Sequence, residues 1–94
     1  MLIISKNTEL KLKQKHGLTD PEKEILEAFS NIDGGTLTDT REEHNSDPPT
    51  EWFIAETNMG VLLKVCFIEK DGNIYIRTAY KPNDEEIRIY QKYK

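Results

Sequence analysis

The sequence has one cysteine, Cys66, in 94 residues. A lone thiol excludes an internal disulfide framework and a zinc site built from several cysteines. No apolar run approaches the ~20 residues of a membrane helix. The opening Met1-Leu2-Ile3-Ile4 is apolar but gives way to Ser5-Lys6-Asn7. It lacks the basic start, long apolar stretch and small-residue cleavage site of a secretory signal, so the expectation is a cytoplasmic protein with no membrane partner. A Gly-rich phosphate loop and a Ser-centred elbow are both missing. Positive charge is scarce too: 13 Lys and Arg face 17 Asp and Glu, for a net charge of −4. A globally basic nucleic-acid binder is not indicated.

The length leaves room for one core, so a single domain over residues 1–94 is expected, and a complete dinucleotide-binding sheet does not fit. Hydrophobic residues make up 36% and charged residues 32%. That is polar, but Trp52, three Phe and four Tyr are not the profile of a disordered chain. The charge is uneven. Residues 1–18 sum to +3, residues 19–60 to −9 and residues 61–94 to +2. A fold that joins the two ends makes a local positive patch, set against the simpler reading of a solvated mixed-charge surface.

Leu2-Ile3-Ile4 reads as a short edge strand. Asn7 or Thr8 then caps a weakly amphipathic helix with Leu10 and Leu12, which ends at Lys15-His16-Gly17, with Gly17 suited to a positive φ. Thr19 and Glu22 form a capping box, and Pro21 suits the first turn of a second helix. Ile25, Leu26, Ala28 and Phe29 share one helical face, and Asp33-Gly34-Gly35 ends the segment. Thr36 to Thr40 is a candidate strand, and the polar stretch 41–50 with Pro48-Pro49 a loop. Three β-rich runs follow, Trp52 to Thr57, Val61 to Glu69 and Asn73 to Tyr80. Asn58-Met59-Gly60 and Asp71-Gly72 between them are turn signals that make an antiparallel meander. Pro82 to Glu86 opens a last helix with Ile87, Tyr90 and Tyr93 at helical spacing. The predicted class is α+β: a small antiparallel sheet in β-α-α-β-β-β-β-α order, with helices packed on one face. A two-residue turn at Asp71-Gly72 pairs Lys70 with Asn73, Phe67 with Ile76 and Cys66 with Arg77. Val65, Phe67, Ile74 and Ile76 then face the core. Lys64, Cys66, Tyr75 and Arg77 share the other face.

Three groups carry chemistry. His16 follows Lys15 in the last turn of the first helix, where the partial negative charge favours imidazolium. The pair suits phosphate binding or proton transfer, or simply caps helix carbonyls at the surface. Arg41-Glu42-Glu43-His44 with Asp47 has metal-ligand residue types. However, the spacing matches no closed zinc pattern, and Glu42 and Glu43 point apart in an extended chain, so no metal or other cofactor is expected. A solvated acidic loop is the simpler reading, and an anchoring surface for a basic partner at Glu42 and Glu43 is the alternative. Arg77-Thr78-Ala79-Tyr80-Lys81-Pro82 is the third group. An arginine in a central strand is either ion-paired or an anion-binding group on a rigid support. Tyr80 is either core or a stacking surface for a base. Lys64 and Lys81 are the candidate substrate-binding cations. Cys66, within an apolar strand, reads as a small buried hydrophobe.

Lys15-His16-Gly17 after a short helix, Phe29 near the end of the second, Asp39 before the loop, Arg77-x-Ala79 and Glu86 four residues before Tyr90 together resemble BrnT toxins of bacterial type II toxin–antitoxin pairs. The likeness spans most of the chain through short motifs. It implies a RelE-like fold and metal-independent cleavage of RNA. It also implies a ribbon-helix-helix antitoxin as partner, with DNA bound only through the toxin–antitoxin complex. By position the catalytic candidates are Lys15, His16, Arg77 and Tyr80, although the family often has another residue where Tyr80 stands. The acidic balance also departs from ribonuclease toxins, which tend to be basic. The chain is similar as well to short bacterial proteins labelled ADP-ribosyl-dinitrogen-reductase hydrolase. Genuine hydrolases of that name resemble larger helical domains with carboxylate-bound magnesium, an architecture that 94 residues with a β meander cannot hold. The alternative to a nuclease is a non-catalytic protein-binding module that uses its acidic loop.

Overall fold

A computed structural model describes residues 1–40 and 47–94. The elements are β1 (Leu2–Ile3), α1 (Lys6–Gln14), α2 (Pro21–Ser30), β2 (Leu37–Thr38), β3 (Glu51–Glu56), β4 (Leu62–Lys70), β5 (Asn73–Tyr80) and α3 (Asp84–Tyr93). The α+β class and the predicted order of elements hold. The sheet runs β1-β5-β4-β3-β2. It is mixed rather than purely antiparallel, because β1 pairs parallel to β5 at Leu2 with Ile74 and Ile3 with Tyr75. The first helix must cross the sheet before the chain can return, so the N-terminal strand cannot enter as part of the meander.

Local chemistry sets the ends of the elements. Ser5, not Asn7 or Thr8, caps α1, and its side chain accepts from the Thr8 amide. Gly17 takes φ +71° after the helix, a left-handed conformation that would strain any side chain. Asp20, one residue later than expected, caps α2 ahead of Pro21. Asp71 and Gly72 both have positive φ, as a two-residue hairpin requires. Asn83 caps α3 in a reciprocal box with Glu86.

The main core lies between one sheet face and α1 and α2. Leu12, Ile25 and Ala28 are fully buried there against Phe53, Val65 and Ala79. Phe29 sets its edge to Phe53 at 4.7 Å and to Phe67 at 5.4 Å. Alternation along β3 sends Trp52 and Ile54 to the opposite face. α3 covers that face, with Tyr90 5.8 Å from Trp52 and Lys64 bonded to Glu86. The expectation that all helices share one face is therefore corrected. Apolar Trp52 and Ile54 cannot stay open to water, and the amphipathic α3 covers them.

The strand register is also corrected at one position. Lys70 faces Asn73 and Phe67 faces Ile76 as expected, but Cys66 faces Thr78. A bulge leaves Arg77 without a partner on β4, so Ile76 and Ala79, three apart, both face the core.

Candidate functional site

β1 covers only Ile74 and Tyr75 on the outer edge of β5. Beyond them the edge has no neighbouring strand among the described residues, and its backbone groups need partners. α1 runs along this stretch. Lys11 Nζ donates to the carbonyl of Arg77 at 3.3 Å. Leu12 is buried beneath the helix, which keeps the side of α1 with Lys11 and Lys15 at the surface. One turn on, His16 meets the ring of Tyr80, with centroids 5.4 Å apart and planes tilted by 33°. Lys11, Thr78, Tyr80 and the exposed Arg77 line one cleft of about 290 Å³, together with Asp39 and Thr50. Buried Cys66 also lines it, and no nucleophile is needed to explain its position in an apolar strand.

The fold thus brings His16, with Lys15 beside it just past α1, to the ring of Tyr80, which lines one cleft with Arg77 over 60 residues on in sequence. It adds Lys11, which the sequence reading passed over. The signal was present, because Lys11 and Lys15 are four apart and so share a helical side. His16 titrates below the ordinary imidazole range. Partial burial is the main cause, and the neighbouring charges of Lys11 and Lys15 add to it. The expectation that the helix end favours imidazolium is corrected, because desolvation and two ammonium groups outweigh a half-charge dipole.

Lys64 is not a solvated cation. It is 6% exposed, and its Nζ donates to Glu86 Oε2 at 2.8 Å. The same nitrogen lies 4.4 Å from the centre of the Trp52 ring. Burial alone would lower its pKa, but the bond to Glu86 prevails and raises it. Lys64 therefore lies under α3 and is not presented to a substrate. Alternation placed it correctly on the non-core face, but that face is covered. Glu86 takes three donors: Lys64, the Tyr80 hydroxyl at 2.7 Å, and the Asn83 amide on Oε1 at 3.0 Å. Burial opposes ionisation of Glu86, yet these bonds hold its carboxyl below the usual range. The Tyr80 hydroxyl is shifted upward, first by burial and then by its bond to Glu86. That hydroxyl is engaged with a carboxylate, so the catalytic role expected for Tyr80 reduces here to the position of its ring. Lys81 is exposed just after β5.

Arg41, Glu42, Glu43 and His44 lie outside the described residues, and the partner-binding expectation for Glu42 and Glu43 falls on them. Among the described residues, no three His, Cys, Asp or Glu side chains come together as a metal site. No helix among them is long and apolar enough to cross a membrane. Comparison of the chain with protein-family models, curated proteins and solved structures finds no match.

Proposed function

We propose that the protein is a toxin-like, metal-independent RNA endonuclease, the activity implied by its likeness to BrnT toxins. One observation carries the reading. Lys11 of α1 bonds to the backbone of Arg77, and His16, just past the helix with Lys15 beside it, meets the ring of Tyr80. Lys11, Arg77 and Tyr80 line one cleft along β5. A neutral imidazole at pH 7 suits a general base. His16 takes the proton of an RNA 2′-hydroxyl. The 2′ oxygen bonds to phosphorus and the bond to the 5′ oxygen breaks, which leaves a cyclic phosphate. The departing 5′ oxygen takes its proton from solvent at the exposed rim. Arg77, Lys15 and Lys11 offset the negative charge that builds on phosphorus. Removal of one such donor typically costs about 10²–10³ in rate.

The net charge of −4 does not oppose this reading. The acidic excess belongs to residues 19–60, whereas these cations come from the two basic ends of the chain. The proposal extends to a cytoplasmic location, a RelE-like fold and a ribbon-helix-helix antitoxin that brings the pair to DNA. Induced expression is expected to arrest bacterial growth, and Arg77→Ala to relieve the arrest. Purified protein should cleave RNA in EDTA. Harmless expression together with intact RNA would refute the nuclease and leave the binding module.

A further inference from the structure

We infer that Glu86 is a positioning residue for His16: its carboxylate pins the Tyr80 hydroxyl, and the pinned ring holds the imidazole that α1 delivers. The inference deepens the nuclease reading, since it gives α3 a part in placing the group read there as the base.

Both carboxylate oxygens of Glu86 are fixed. Oε1 accepts the Asn83 amide, and Oε2 accepts both Tyr80 and Lys64. Lys64 is itself held between Glu86 and the Trp52 ring. The anchor is therefore rigid before Tyr80 joins it. A tyrosine ring turns about two torsions, and a bond at its far end removes most of that freedom. The bond is also strong, because its acceptor is charged. The same ring meets His16, with centroids 5.4 Å apart. The phenol oxygen is what separates pinning from plain packing: a ring without it fills the same space but has no tie to α3.

Among the described residues, the titratable or charged groups that face the imidazole are Lys11 from α1, Lys15 at the end of that helix, and Tyr80 from β5. Loss of ring cover exposes His16 to water and raises its midpoint. Loss of the Glu86 charge by itself has the opposite sign. Tyr80→Phe changes no charge near neutrality, so it isolates the first effect.

The test is an NMR titration of the full chain, with His16 assigned against a His44→Gln variant. In Tyr80→Phe the contacts between the ring at position 80 and the imidazole should weaken. The His16 midpoint should rise toward the ordinary imidazole value. Glu86→Gln keeps a carbonyl acceptor for the phenol and should keep the wild-type contacts. Wild-type contacts and midpoint in Tyr80→Phe would overturn the inference. The titration needs no RNA. A wild type that leaves RNA intact, combined with the expected shift, sinks the nuclease and spares the positioning. An active wild type whose midpoint does not move in Tyr80→Phe does the reverse.

Discussion

Replacement of either partner in the Lys64–Glu86 pair should destabilise the protein unequally. The two side chains are 8% and 19% exposed and 2.8 Å apart. Glu86→Ala leaves an ammonium buried between Trp52 and Tyr80 with its acceptor gone. Stranding a buried charge in this way costs about 3–5 kcal/mol. Lys64→Met leaves Glu86 with two other donors, Tyr80 and Asn83, and a partly wet carboxylate. It also fills the space under α3 with a side chain of similar length, so its cost should be about 1–2 kcal/mol. With a urea slope of about 1–1.5 kcal/mol/M for a domain of this size, a loss of 3 kcal/mol lowers the midpoint by about 2–3 M. Trp52, beneath Lys64, reports unfolding by its fluorescence. The pH dependence has a definite sign. The lowered carboxyl of Glu86 contributes stability above the ordinary carboxylate pKa, and that contribution disappears as acid protonates the folded form. The raised ammonium of Lys64 contributes below the ordinary lysine pKa and fades as alkali removes its proton. The gap between wild type and Glu86→Ala should therefore be widest near neutrality and narrow in acid. Equal costs for the two variants, or a gap independent of pH, would refute this account of the pair.

Phe53→Ala should cost about 3–5 kcal/mol, since Phe53 is fully buried and meets both Phe29 and Phe67. Leu26→Ala, at a position 47% exposed, should lie within about 0.5 kcal/mol of wild type in the same urea titration. If RNA is cleaved, the rate should rise with pH along an acid limb whose midpoint lies below the ordinary imidazole value. Lys11→Gln and Lys15→Gln should each move that limb upward, because a removed positive neighbour makes imidazolium easier to form. A limb that stays in place in both variants would show that His16 does not govern the rate.

Much of the fold is legible in the sequence because its signals are local. Asp71-Gly72 announces its hairpin through two positive φ angles, and Asn83 and Glu86 cap α3 across a single turn. Lys15 and His16 stand out as a short run, and Arg77 as a charge inside a strand. What stayed hidden depends on partners far along the chain. Nothing near Lys64 in sequence tells that Glu86, 22 residues on, will cover it. Alternation puts Lys64 on the face away from the main core, but only the fold shows that α3 buries it there.

The sequence by itself determined the order of elements and the turns, since period, capping and backbone freedom act over a few residues, and it offered His16, Lys15 and Arg77 as candidates. The tertiary structure alone decided the bulge at Arg77, the passage of Lys11 along the edge of β5, and the closure of α3 over Trp52 and Lys64. These arise where apolar area and backbone polar groups must be satisfied through space, and only the folded chain brings those partners within reach.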